Sequence, residues 1–502
     1  MFAENNGIVS TQYGKLQGKR CDRNPDVWAF LGIPYADAPV GENRWRAPQP
    51  VKPWEGVRDA TGYAPDCPQV TLPKGSFYQV EFYPNEKVMD EEKGLALNVW
   101  TPARSGEKLP VLIWIHGGAF REGSGGALQF IGDALAAKGI VVVTINYRLG
   151  ALGFMTHPEL TKEQGGASGN YAFMDQAAAI KWVHENIECF GGDPDKVTID
   201  GQSAGSMSVM AMLSTSLTRG MFRGAICQSG SAFGRVGAAG VGASLAQAEQ
   251  NGLRLQEALG CTSLAQMREC TPQQIMDATD AMGIPFRPIV DGRVIEEEYA
   301  ARFAAGRQNV VNVLMGCTCD EDCLHETKDT DYEEYLHAAA QYGADEAEYK
   351  RVFPASGNEE AGRVVSFERT ARTFAGMRIA AEYQMNQGAK AYLYSFAQTL
   401  PNADDSELGP FHSAELVYQF GTLYTGWRPW REQDERASEV MMNYWANFVK
   451  YGDPNGEGLP KWDAHAAGDS RCMVLKAEPE MREVPRSEQA AFLEKVIRKD
   501  LN

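Results

Sequence analysis

Apolar residues are distributed along this chain in two rhythms. Short, largely β-branched runs stand at Val111–Ile115, Ile140–Ile145, Val197–Asp200 and Ala225–Gln228, and Val310–Met315 and Ala391–Phe396 are further strand candidates. Between the second and third runs, Tyr171 to Ile187 carries its apolar positions at helical spacing and stops before Phe190-Gly191-Gly192-Asp193-Pro194. Continuous apolar runs read as strands covered on both faces, and their alternation with helices predicts an α/β fold around a mostly parallel sheet. The stretches 234–285 and 331–387 are mostly helical in pattern, and no Pro/Ser-rich linker sets them apart. They read as helical excursions over the sheet, and the whole chain, 1–502, as a single domain. Ser438 to Lys450 reads as a late amphipathic helix closed by Gly452-Asp453-Pro454.

Two of the predicted strands run into loops with chemical potential. Thr198-Ile199-Asp200 breaks at Gly201-Gln202-Ser203-Ala204-Gly205 into a helix from Ala204 to about Leu213. That is the strand, turn and helix context in which a G-x-S-x-G serine becomes a nucleophile, the glycines permitting a turn too tight for Cβ atoms. The run Val111–Ile115 leads into His116-Gly117-Gly118-Ala119-Phe120. Small residues there let backbone N–H groups approach a substrate, so Gly118, Ala119 and the helix-starting Ala204 are candidate oxyanion donors.

A serine hydroxyl needs a base within hydrogen-bond reach, and the base needs an acid to orient it. Four of the seven histidines follow Ser203: His325, His337, His412 and His465. His337 lies in a polar helical pattern, His465 in a polar loop, and His325 beside the candidate acids. His412, in the loop Leu408–Glu415 shortly after the strand candidate Ala391–Phe396, is the best base, since α/β sheets place their chemistry at the carboxyl ends of strands. Asp320, Glu321 and Asp322 follow another strand candidate, and all three remain open as the acid. Phe120, Phe233 and Phe411 adjoin these segments and are candidate linings of the acyl and alcohol pockets.

Charge narrows the partners. Lys and Arg total 48 against 66 Asp and Glu, a net charge of −18, and such a surface repels nucleic acid and anionic lipid. No apolar run is long enough to span a bilayer, and the N-terminus has neither basic nor apolar signal character, so a cytoplasmic protein with no membrane association is expected. The ten cysteines are scattered. Cys261 and Cys270 could close a short loop, and Cys317, Cys319, Cys323 and His325 lack the spacing of a structural zinc site, so no metal is expected.

The motifs taken together resemble the type B carboxylesterase family, which includes cholinesterases and bacterial para-nitrobenzyl esterases. The resemblance rests on Gly32-Ile33-Pro34-Tyr35-Ala36, Arg44-Trp45-Arg46-Ala47-Pro48, Leu97-Asn98-Val99-Trp100-Thr101-Pro102, Asn146-Tyr147-Arg148-Leu149-Gly150, Phe190–Pro194 and Tyr444-Trp445-Ala446-Asn447-Phe448. It implies an α/β-hydrolase fold and a Ser–Glu–His triad whose members fall on Ser203, Glu321 and His412, with oxyanion donors on Gly118, Ala119 and Ala204. It also implies hydrolysis of small-molecule carboxylic esters through an acyl-enzyme, without a cofactor; with no signal peptide and one family disulfide missing, the chain resembles a bacterial cytoplasmic member. Amide or carbamate hydrolysis, and a non-catalytic adhesion role on the same fold, are the alternatives. Three departures stand out. Gln202 replaces the glutamate usual before the nucleophile, Gly94 replaces a cysteine that in many secreted members pairs with the counterpart of Cys67, and Asp322 replaces a glycine common after the acid. Cys261 and Cys270 resemble the family's second cysteine pair.

Overall fold

The β-branched runs assemble into one eleven-stranded sheet in a computed structural model that describes residues 6–85, 88–233, 243–325 and 331–501. In chain order its strands are β1 Lys19–Arg20, β2 Trp28–Pro34, β3 Ala96–Thr101, β4 Leu109–Ile115, β5 Val141–Ile145, β6 Gly192–Gln202, β7 Gly224–Gln228, β8 Asn312–Thr318, β9 Ala391–Phe396, β10 Arg471–Leu475 and β11 Glu480–Glu483. They lie in the spatial order β11-β10-β9-β8-β7-β6-β4-β5-β3-β2-β1. The run from β5 through β4, β6, β7, β8 and β9 to β10 is parallel, and the strands outside it pair antiparallel. The sheet is therefore mostly parallel, as the alternation of strands and helices implies.

Alternate residues of the central strands feed two separate cores. Ile113, Ile115, Val143, Ile199, Cys227 and Met315 face one, and Leu112, Trp114, Val142, Ile226 and Leu314 face the other. Helices Tyr171–Asn186, Ala204–Ser214 and Asn358–Met385 cover the first face, and Glu432–Tyr451 covers the second with Met441, Tyr444, Trp445 and Phe448. A strand buried on both sides has no polar face to show, which is why these segments read as unbroken apolar runs. The stretch 331–387 is helical at Tyr332–Ala340, Glu346–Val352 and Asn358–Met385. The stretch 234–285 is helical at Leu245–Ala258, Leu264–Glu269 and Pro272–Met282, while its first residues, 234–242, lie outside the described residues.

Some boundaries move. β6 begins at Gly192 and runs to Gln202, so Ser203 follows the strand directly. β8 is shifted towards the acids, ending at Thr318, and the late helix starts at Glu432. The register aligns Gln202, Gln228 and Gly316 across β6, β7 and β8, so the loops after these strands leave one edge of the sheet together.

Behind that edge the segment Asn146–Gly150 is held by a buried ion pair. Arg148 donates from Nε to Asp175 Oδ2 at 2.7 Å and from Nη2 to Oδ1 at 2.6 Å, and both side chains are almost wholly out of solvent. The anchored segment then braces the loop after β4. Tyr147 OH donates to His116 O at 2.7 Å and Gly150 N–H to Phe120 O at 2.7 Å. Asp175→Ala leaves the guanidinium buried without its counter-charge, and is expected to cost about 3–5 kcal/mol of stability in denaturant unfolding. A loss within about 0.5 kcal/mol would show that the pair is dispensable.

Candidate active site

Ser203 stands between the end of β6 and the helix Ala204–Ser214 with φ 58° and ψ −123°, a conformation that L residues rarely adopt. Its N–H donates to Gln228 O at 2.8 Å. The turn is possible because its neighbours lack side chains. A Cβ on Gly201 would lie 2.4 Å from Gly205 O, and one on Gly205 would lie 2.0 Å from Ile115 O. The strained residue is thus wedged between the ends of β4 and β7, with its side chain directed into a cavity of about 250 Å³.

The loop after β4 forms one wall of this cavity. Gly118, Ala119 and Phe120 have φ of 106°, 54° and 60°. Arg121 and Glu122 donate their N–H groups back to Gly118 O, at 2.9 and 3.1 Å. The N–H groups of Gly118 and Ala119 meet no acceptor among the described residues, and Ala204, as the first residue of its helix, has no intrahelical acceptor. Gly118 and Ala119 line the cavity at Ser203, and Ala204 follows Ser203 directly at the start of its helix.

His412 lines the same cavity from the loop after β9. Its Nδ1 contacts Glu321 Oε2, and its backbone N–H donates to Glu321 O at 3.0 Å. The other carboxylate oxygen of Glu321 accepts from Thr318 N–H at 2.8 Å, Thr318 Oγ1 at 3.0 Å and Ser229 Oγ at 2.6 Å. Burial alone would raise the Glu321 pKa, but the His412 ring and these donors outweigh it and hold the carboxyl below its ordinary value. Burial likewise opposes a charge on His412, and the Glu321 carboxylate overcomes it, raising the imidazole pKa. His412 Nε2 is 3.3 Å from Nε2 of the buried Gln202, an uncharged neighbour where a glutamate would add negative charge.

The three consecutive acids separate by their partners. Asp320 pairs with Arg486 at 2.7 Å and Asp322 with Arg369 at 2.9 Å, so only Glu321 turns to the histidine. Two of the other candidate bases lie elsewhere. His337 is exposed on the helix Tyr332–Ala340, and His465 is buried, not in an open polar loop, with its N–H bonded to Ala391 O at the opposite end of β9.

The aromatic lining differs from the sequence expectation. The rings around Ser203 are Tyr78, Phe82, Tyr83 and Phe130. Phe120 packs against Phe154 and Phe173, Phe233 against Phe303 and Tyr383, and Phe411 against Phe77, Tyr78 and Phe82, all buried behind the cavity wall. Adjacency to a catalytic segment in sequence does not fix the direction of a side chain, and these three point into the core. Tyr78, Phe82 and Tyr83 come from the short helix Phe77–Phe82 and its end, with Tyr78 OH donating to His412 O at 3.3 Å. A buried ion pair anchors this helix: Arg428 donates to both oxygens of Glu81, at 2.7 and 3.0 Å, and also to Pro401 O.

Among the described residues no three His, Cys, Asp or Glu side chains converge as metal ligands. Cys319 contacts Asp320 and Cys323 contacts Gly409 O, while Cys317 is buried. The thiols of Cys261 and Cys270 lie 3.7 Å apart and unbonded.

A strand-ending serine, a carboxylate-held histidine and a donor-rich loop at the carboxyl edge of a mostly parallel sheet define a serine hydrolase of the α/β-hydrolase fold. The chain belongs to the carboxylesterase family, whose model matches residues 5–493. It is 33% identical to the para-nitrobenzyl esterase of Bacillus subtilis (strain 168), across 96% of this chain and 97% of that one. It is 36% identical to the fumonisin B1 esterase of Sphingopyxis macrogoltabida, across 91% and 84%. A solved structure of PNB esterase superimposes with a TM-score of 0.84 at 32% identity, covering 97% of this chain and 99% of that one. The protein is a carboxylic ester hydrolase. The sorting of the three acids predicts that Glu321→Gln lowers kcat by about 10⁴-fold, while Asp320→Asn and Asp322→Asn stay within about tenfold. Steady-state kinetics on one ester checks this, and equal losses in all three would refute the assignment.

Proposed function

We propose that ester hydrolysis runs as a two-step acyl transfer on Ser203. His412 takes the serine proton as Oγ attacks the ester carbonyl, and Glu321 holds the ring by Nδ1 and stabilises the imidazolium. The oxyanion is received by the N–H groups of Gly118, Ala119 and Ala204. The alcohol leaves with the proton from His412, and water repeats the sequence to release the acid. The observation that carries this reading is the contact of His412 Nδ1 with Glu321 in the cavity that holds Ser203. Phe82, Tyr83 and Phe130 give the cavity an aromatic wall, and uncharged Gln202 supports a preference for uncharged ester groups over cationic ones. We also place the enzyme in the bacterial cytoplasm. The ten free thiols support that reading, and cell fractionation tests it.

The test is hydrolysis of p-nitrophenyl esters of increasing acyl length, with matched anilides and carbamates, by wild type beside Ser203→Ala. The variant is expected to lose about 10⁶-fold in kcat. Wild-type activity on esters exceeding that on anilides supports ester specificity, and the reverse order would reassign the enzyme as an amidase.

A pH dependence follows from the charge on the base. His412 works only when neutral, and Glu321 raises its pKa. The rate therefore falls as pH drops through a midpoint above the ordinary histidine value of about 6.5. Glu321→Gln removes the raising influence and is expected to move that midpoint down. A kcat/KM profile flat from about pH 5 to about pH 8 rules out histidine as the base.

A further inference from the structure

Ser229 follows β7, just beyond the last residue of that strand, as Ser203 follows β6. It is buried, has a φ of 51°, and donates its N–H to Gly316 O at 2.8 Å, so its backbone is held in a conformation that serine rarely adopts. Its hydroxyl oxygen lies between two carboxyl groups. Glu321 Oε1 is 2.6 Å away and Glu415 Oε1 is 3.2 Å away. Glu415 stands three residues after His412, immediately before the short helix Leu416–Gln419. It has no solvent exposure, and its second oxygen, Oε2, is buried without a hydrogen-bond partner among the described residues.

The protons at this point can be counted. A serine hydroxyl carries one hydrogen and can accept others. It cannot donate to two carboxylates at once with full strength, and two bare carboxylates around one hydroxyl in a dry site repel each other. One of the pair must therefore bring its own proton. Glu321 is not that one, because it already receives Thr318 N–H, Thr318 Oγ1–H and the His412 ring, and each of these favours its ionised form. Glu415 has fewer donors, Ser229 Oγ and its own backbone N–H, and among the described residues no Lys or Arg pairs with it.

We propose that Glu415 is a positioning residue for the triad, a neutral carboxylic acid that donates to Ser229 Oγ while Ser229 donates to Glu321 Oε1. This deepens the acyl-transfer reading and rests on Glu321 serving as the acid there. The chain of two hydrogen bonds pins one oxygen of Glu321 and leaves the other for His412. Because Glu415 carries no charge, the pair bears a single negative charge, and the His412 ring faces one carboxylate. No proton is transferred along the chain. It is a brace, and its direction is fixed by the single proton that Glu415 keeps.

The electrostatics agree. Burial, and then repulsion by Glu321, push the Glu415 carboxyl up to about 8. The other titratable groups facing it are His412 from its own loop, Cys317 on β8, Tyr394 on β9 and Tyr78 on the helix Phe77–Phe82, all with elevated pKa values. Glu415 is thus protonated at neutral pH. When it ionises at higher pH it becomes a second acceptor for the one Ser229 proton, and the brace on Glu321 loosens.

The proposal is tested on the full-length enzyme in two ways. Infrared difference spectroscopy of wild type between pH 7 and pH 10 is expected to show a carboxylic-acid C=O stretch that disappears at the higher pH. The same band should be missing in Glu415→Gln. In ester hydrolysis, Glu415→Ala is expected to lower kcat at pH 7 by about tenfold with KM changed less than about twofold. Glu415→Gln, which restores a donor of the same shape, is expected to recover most of that loss and to abolish the wild-type fall in rate above about pH 8. Absence of the acid band in wild type overturns the proposal, as does an alkaline limb that persists in Glu415→Gln. Glu321→Gln serves as the control that separates the two readings. If it stays active, the triad assignment itself fails, and if it is inactive while the Glu415 variants behave as wild type, only the brace fails.

Discussion

The close approach of backbone to backbone around Ser203 is the constraint on which the site depends. Gly205 lies so near the end of β4, and Gly201 so near Gly205, that neither position has room for a Cβ. That crowding forces Ser203 into left-handed φ, at a cost of about 1–3 kcal/mol that only the surrounding sheet can sustain. The same packing sets the neighbours. β4 delivers the loop Gly117–Phe120, and β7 delivers Ser229. β8 delivers Glu321 and β9 precedes His412, so every functional group leaves one edge of one sheet. Precision comes from the rigid strands, and the loops supply only the last few residues.

A chain with a net charge of −18 assembles this site from carboxylates, and it sorts them by partner. Asp320 and Asp322 are taken up by Arg486 and Arg369, leaving Glu321 to the histidine. Under the sheet edge a further buried acid, Asp200, accepts from the amides of Gln228 and Gln419, and burial lifts its pKa to about 7. Neutral amides, together with Gln202 beside the imidazole, let the site remain polar without accumulating charge around the base.

Much of this was legible in the sequence because the relevant signals are local. The β-branched runs are buried on both faces and so cannot be polar, and β9 falls where the pattern places it. The turn at Ser203 announces itself through glycines whose missing side chains are a steric necessity. Legibility ended where tertiary contact decides. Nothing in three adjacent acids says which one meets an imidazole some ninety residues later; the resemblance to a family chose Glu321, and the arginines supply the physical reason. Phe120, Phe233 and Phe411 were drawn to the pocket by sequence adjacency, yet the core claims them. The lining rings arrive from Phe77–Phe82, a short helix with no strong periodicity. Ser229 and Glu415 carry no motif, and only the fold brings them together.

The loop that carries those rings also bears on how the protein can mature. A Cβ at Gly94 would lie 2.8 Å from Cys67 Sγ and 2.9 Å from its Cα, so the two positions are in close contact while no second sulfur stands opposite Cys67. The place of a crosslink is taken by Arg428 gripping Glu81, an interaction that forms as the chain folds. The wall of the substrate cavity is therefore secured by an ion pair, with no oxidation step needed to close it. Thiol reductants that loosen a disulfide-closed relative have no bond to cut at this position.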